Sequence, residues 1–202
     1  QNGYEFTMTD TTIEYDQYNF PTSQKVEDIK YTVKDHPDEK GVLIFQLAIF
    51  DSETGKFLDS RPSYLTLSSK GMSWWTDKSS EEKKLKITQA IKLPMKVGTS
   101  WKSTFSGFDA TMTCLTTDTT LNSIYGAISC FGVSYEVIIQ DDSSIKYYMK
   151  VKEFYNNYAG KVHSEYMTYL LTKATNKEMI VNKSWGNVSK SNLTEDQKRL
   201  IK

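Results

Sequence analysis

From Ile145 to Lys152 the chain sets Ile145, Tyr147, Met149 and Val151 against Lys146, Tyr148, Lys150 and Lys152. From Leu85 to Leu93 it repeats the device, with Leu85, Ile87, Gln89, Ile91 and Leu93 opposed to Lys86, Thr88, Ala90 and Lys92. A period of two turns successive side chains to opposite faces of an extended backbone, so each run reads as a strand with one buried face. Val26 to Lys34 alternates in the same way. Val42 to Phe50 is apolar on both alternating faces, interrupted only by Gln46, which predicts a central strand covered on both sides.

Turn residues punctuate these runs. Asp35-His36-Pro37-Asp38-Glu39-Lys40-Gly41, Asp51 to Gly55 and Asn156 to Gly160 carry the Gly, Pro, Asn and Asp that reverse a chain. Tyr4 to Tyr15 reads as one or two edge strands, and Tyr64 to Leu67, Gly71 to Trp75 and Val162 to Thr172 as further strands. About ten short strands without a long helical pattern predict an all-β fold, or a β-rich α+β one. The architecture expected is a curved antiparallel sheet, half-barrel or barrel-like. Residues 1–175 form the single β-rich domain of this reading, and 176–202, rich in Asn, Lys and Ser, a polar tail. Near its end Thr194 and Gln197 have the spacing of a capping box before a short helix, and Ser79 and Glu82 repeat that spacing in a polar stretch read as a loop tip.

The two cysteines fall in two β-patterned runs, Thr111 to Thr117 and Ala127 to Ile139. A hairpin turn centred near Asn122 places Cys114 opposite Cys130, within reach of a disulfide. The alternative is two free, buried thiols. A bridge agrees with an oxidising compartment, and a chain beginning at Gln1 without an initiator Met agrees with removal of an export signal. The expected location is therefore extracytoplasmic: periplasmic, secreted or lipid-anchored at the cell surface.

Equal numbers of basic and acidic residues, 25 of each, argue against nucleic acid as a partner. No apolar run approaches the roughly eighteen residues of a transmembrane helix. His36 and His163 are the only histidines. The acidic cluster around His36 resembles a ligand set but reads as a solvated turn, so no metal and no cofactor is expected. His163 and Glu165, two apart on one strand face, are the single acid–base pairing in reach, and a hydrolase using them is the third-ranked reading. Aromatic faces are the remaining candidate surface: Trp74, Trp75, Trp101, Tyr147 and Tyr148 are the expected ligand-binding residues. Trp74 and Trp75 must point to opposite faces of a strand, so one of each adjacent aromatic pair is expected outside the core.

Leu93-Pro94, Gly98-Thr-Ser-Trp101, Tyr125-Gly126-Ala-Ile-Ser-Cys130-Phe-Gly-Val133, Tyr147-Tyr148 and Gly160-Lys-Val162 together resemble small exported bacterial proteins of the TapB-like kind. The resemblance covers the second half to two-thirds of the chain and departs from the pattern at Glu153 to Tyr158. It implies an extracytoplasmic curved sheet similar to the half-barrels that hold lipids or lipoproteins, with no catalytic residues to carry over. The first expectation is therefore a non-enzymatic protein binding an apolar or amphiphilic small molecule, or another cell-envelope protein. The second is a carbohydrate-binding β-sandwich using an exposed Trp74 or Trp75. The oligomeric state is left open.

Overall fold

The alternating runs become strands of one antiparallel sheet. The computed structural model describes residues 3–75, 88–105 and 107–201. The Ser79 to Glu82 capping box, and Leu85 to Ile87 of the strand expected up to Leu93, lie outside these. The strands are β1 (Glu5–Tyr15), β2 (Pro21–Asp35), β3 (Val42–Asp51), β4 (Phe57–Ser68), β5 (Gly71–Trp75), β6 (Thr88–Lys92), β7 (Ser100–Phe105), β8 (Phe108–Ser123), β9 (Gly126–Asp141), β10 (Ile145–Asn156), β11 (Gly160–Thr172) and β12 (Lys177–Ser191), with one short helix α1 (Glu195–Arg199). Their order in the sheet is β6-β5-β4-β3-β2-β1-β12-β11-β10-β9-β8-β7. Each strand lies beside its neighbour in sequence except where β1 meets β12, so the two ends of the sheet are the consecutive strands β6 and β7. There the sheet nearly closes into a barrel. Side chains rather than a ladder join this seam: the Gln89 N–H donates to Ser103 Oγ at 2.7 Å, and Trp101 Nε1 donates to the Gln89 carbonyl at 2.8 Å.

Register fixes which side chains face inward. Val151, Glu153 and Tyr155 of β10 share a buried face, while the alternate Lys150 and Lys152 are exposed. The outward face carries ion pairs across strands: Lys30 to Glu5 at 2.9 Å, Lys146 to Glu136 at 2.8 Å and Lys152 to Glu165 at 3.3 Å. Such exposed pairs contribute about 0–1 kcal/mol each, so they mark the face more than they hold it. The inward face is held by apolar packing. Trp101, Met112, Cys114, Val133, Tyr135, Val137 and Val151 form one cluster along β7 to β10, joined by Ala90 and Ile91 of β6. β3 is less covered than its composition predicts: Leu43 and Phe45 pack with Val33 and Tyr31 inside, and Val42 and Ile44 with Tyr64 and Trp75 outside, but of its residues only Val42 is fully buried, because the inner face along this strand is not closed by packing.

One end of the barrel is covered by its own longest hairpin. Bulges between Cys114 and Thr119 break the β8–β9 register. Beyond them the hairpin folds across the barrel end, bringing β8 near β12. Tyr125, Ile128 and Cys130 thereby join Phe6, Met8, Val33, Val162 and Val188 in a second cluster, completed by Ile201 after α1. Asn156 Nδ2 ties this cover down, donating to the carbonyls of Ser129 at 2.9 Å and Ile201 at 3.2 Å. The capping box that starts α1 is the expected one, with Thr194 and Gln197 bonded reciprocally.

Three expectations are corrected. The hairpin turns at Ile124–Tyr125 instead of near Asn122, and the bulges shift its register further, so Cys114 faces Val133 and Cys130 faces Thr119. Both cysteines are free and buried, each in a different cluster, and the expected Cys114–Cys130 disulfide is absent. Residues 177–191 of the expected polar tail are β12, hydrogen-bonded to β1 on one side and β11 on the other. For the same reason β1 is an interior strand of the sheet, not an edge.

Candidate functional site

The inward face is not uniformly apolar. Glu153 sits at a buried position between Val151 and Tyr155, only 5% exposed. The Tyr155 hydroxyl donates to its Oε2 at 2.6 Å and the Tyr166 hydroxyl to its Oε1 at 2.9 Å, while Lys161 Nζ lies 3.3 Å from Oε1. Tyr135 adds a further hydrogen bond. Burial alone would raise the Glu153 pKa. The Lys161 ammonium and the tyrosine hydroxyls outweigh it and hold the carboxyl below the usual range. Burial, together with the negative Glu153, pushes the hydroxyls of Tyr135, Tyr155 and Tyr166 upward, so they remain neutral donors.

Two positions of this layer come from glycine and aspartate on neighbouring strands. Asp10 of β1 faces Gly186 of β12 directly. A Cβ on Gly186 would stand 1.9 Å from Asp10 Oδ1, so the carboxyl fills the space that glycine leaves. That oxygen is buried without a hydrogen-bond partner. Burial raises the Asp10 pKa, Lys161 opposing and Glu27 adding to the effect. Glu153 and Lys161 are paired with each other, Glu153 also holds the Tyr155 and Tyr166 hydroxyls, and the buried Ser164 stands opposite it on β11. The layer can orient and hold polar groups.

The aromatic residues singled out by sequence are distributed over both faces. Trp74 and Trp101 share the inner apolar cluster, Trp74 edge-on to Phe105 with centroids 5.5 Å apart. Trp75 points outward as strand geometry requires. It is nonetheless only 3% exposed, stacked on Tyr64 at 5.8 Å, which corrects the expectation that one of the pair stands clear of the core. Tyr147 is half-buried on the inner face, opposite Leu170. Tyr148 faces outward, stacked on Tyr169 at 5.2 Å, and its hydroxyl donates to Glu178. The five therefore do not converge on one surface. Trp101 does line a groove of about 300 Å³ formed with Lys92 to Lys96, Thr99 and Cys114.

The two histidines have other employment. His36 Nδ1 accepts the backbone N–H groups of Asp38 at 3.2 Å and Glu39 at 3.0 Å, stitching its turn together. His163 and Glu165 do meet on the outer face, Nε2 to Oε1 at 3.4 Å. Asn187 occupies the other ring nitrogen at 2.8 Å and Lys152 shares the carboxylate. The Glu153 layer escapes sequence reasoning because its members are spread over five strands, β1, β9, β10, β11 and β12. The signal available was an acid at a buried-parity position flanked by Val151 and Tyr155. No protein-family model matches the chain, and no curated protein matches it.

Proposed function

We propose that this protein is a non-enzymatic binder that holds an amphiphilic small molecule against the inner face of its barrel. The observation that carries the reading is the division of that face. Along β7 to β10 it is closed by tight apolar packing, and next to this stands the Glu153–Lys161–tyrosine layer. Along β2 to β4 the inward Ile29, Leu47, Ile49 and Leu65 are only half-buried. Apolar wall and buried polar groups side by side suit a ligand with an apolar body and a polar head, because each part then meets its own kind of surface. Charges paired across the outward face are unlike the apolar band of a lipid-facing barrel, which supports a water-exposed exterior. Among the described residues no helix is long and apolar enough to cross a membrane. The resemblance of 93–172 to exported TapB-like proteins supports an extracytoplasmic location for this role. Trp75 is buried and Trp74 half-buried against the inner cluster, so neither tryptophan of the carbohydrate-binding reading stands clear of its neighbours, which favours the first reading over it.

Titration with lysophosphatidylcholine below its micellar concentration, followed by tryptophan fluorescence, tests the proposal. Saturable binding that is lost in Ile49→Lys, with the variant's circular dichroism unchanged, is the expected result. Absence of saturable binding, or binding indifferent to Ile49→Lys, overturns it.

A further inference from the structure

The groove beside the seam lies at a different place from the inner wall of β2 to β4, and its construction is that of a second site. Its backbone is pinned on both sides. The Leu93 N–H donates to the Lys70 carbonyl at 2.9 Å, the Gly98 N–H to the Cys114 carbonyl at 2.9 Å, and the Cys114 N–H to the Thr99 carbonyl at 3.0 Å. A groove whose walls are fixed before binding loses little entropy on taking a ligand. Its floor is Trp101 and Cys114, both buried, and its sides are Leu93, Pro94 and Met95. The volume of about 300 Å³ is at the small end of ligand pockets, which run from roughly 300 to 1,000 Å³.

What decides the ligand is charge. Lys92 and Lys96 both line the groove and both are exposed. Neither takes part in an ion pair or hydrogen bond with a described residue, whereas Lys25, Lys30, Lys146, Lys152, Lys161, Lys173 and Lys198 each have a carboxylate partner. Among the described residues no carboxylate lines the groove. We infer that this groove binds a small apolar carboxylate, its chain laid along Leu93, Met95 and Trp101 and its carboxylate between the ammonium groups of Lys92 and Lys96. Hydrogen bonds between charged partners are the stronger kind, and a carboxylate offers acceptors to both lysines at once.

Octanoate is the probe, read through the methyl resonance of Met95, with octylamine as the charge-reversed control. Octanoate shifts the Met95 methyl signal saturably, octylamine does not, and K92Q/K96Q weakens octanoate binding by about tenfold, the loss expected for two charge-assisted contacts at a solvent-exposed rim. An equal response to octanoate and octylamine, no response to octanoate at millimolar concentration, or an unchanged affinity in K92Q/K96Q overturns the inference. Ile49→Lys leaves octanoate binding intact, which separates this groove from the inner-wall site.

Discussion

Glu153 and Asp10 are two inward carboxyls of one layer with opposite electrostatic situations. Glu153 has an ammonium and tyrosine hydroxyls around it, and losing the carboxylate leaves Lys161, whose side chain is 21% exposed, without its anion. Removing one partner of a buried pair costs about 3–5 kcal/mol, so Glu153→Ala is expected to lose that much in urea unfolding at neutral pH, and Glu153→Gln, which still accepts from the tyrosines, distinctly less. Because the folded-state pKa of Glu153 is depressed, its contribution is present above the unfolded carboxyl value, about 4.3, and disappears as pH falls through the folded value. Asp10 runs the other way. Its folded pKa is raised, so folding is penalised progressively as pH rises through the window between the unfolded and folded values, and Asp10→Asn removes that penalty. Stability curves against pH for the two variants are thus expected to depart from wild type in opposite directions. Parallel curves would show that the layer does not hold its charges as its contacts imply.

At the scale of elements, β12 separates what the sequence discloses from what it hides. Ile145 to Lys152 and Val42 to Phe50 were legible because each has at least one face that is apolar throughout. Lys177 to Ser191 was not, since its inward residues include Asn182, Ser184 and Gly186 and its outward ones Lys183 and Asn187, leaving no alternation to read. The polarity is forced by neighbours: Asn182 accepts from Thr168 Oγ1 at 2.8 Å, and Gly186 admits Asp10. The cysteine register was hidden for a different reason, because the bulges between Cys114 and Thr119 displace the pairing while the bulged stretch itself holds no proline or glycine, the one glycine there, Gly132, lying opposite Thr116 on the partner strand. Placing β12 inside the sheet makes truncation decisive. Deleting 176–202 parts β1 from β11 and is expected to abolish cooperative unfolding, whereas deleting 192–202 removes α1 and the buried Ile201 at a cost of about 2–5 kcal/mol and leaves a folded barrel. A cooperative thermal transition in the longer deletion would contradict the central position of β12.

For the whole molecule the weak line is the seam. Every other strand boundary is a backbone ladder, but β6 and β7 meet through Trp101 Nε1 and Ser103 Oγ, each satisfying one backbone group of Gln89. An all-antiparallel sheet can be closed this way only if those side chains also exclude water, and Trp101 does so by burying its ring in the cluster with Ala90 and Met112. Trp101→Phe keeps most of that apolar contact and deletes the bond to the Gln89 carbonyl, a net loss of about 1 kcal/mol. If the seam opens as its own unit, amide hydrogen exchange in β6 and β7 is expected to accelerate roughly fivefold while β1, β11 and β12, paired on both edges far from the seam, exchange as before. Uniform acceleration across all strands would mean instead that the barrel opens only by unfolding, and that closure at Gln89 is as cooperative as the ladders. The distinction bears on ligand entry, because a seam that parts alone gives the inner face a lateral route that leaves the hairpin cover of β8 and β9 in place.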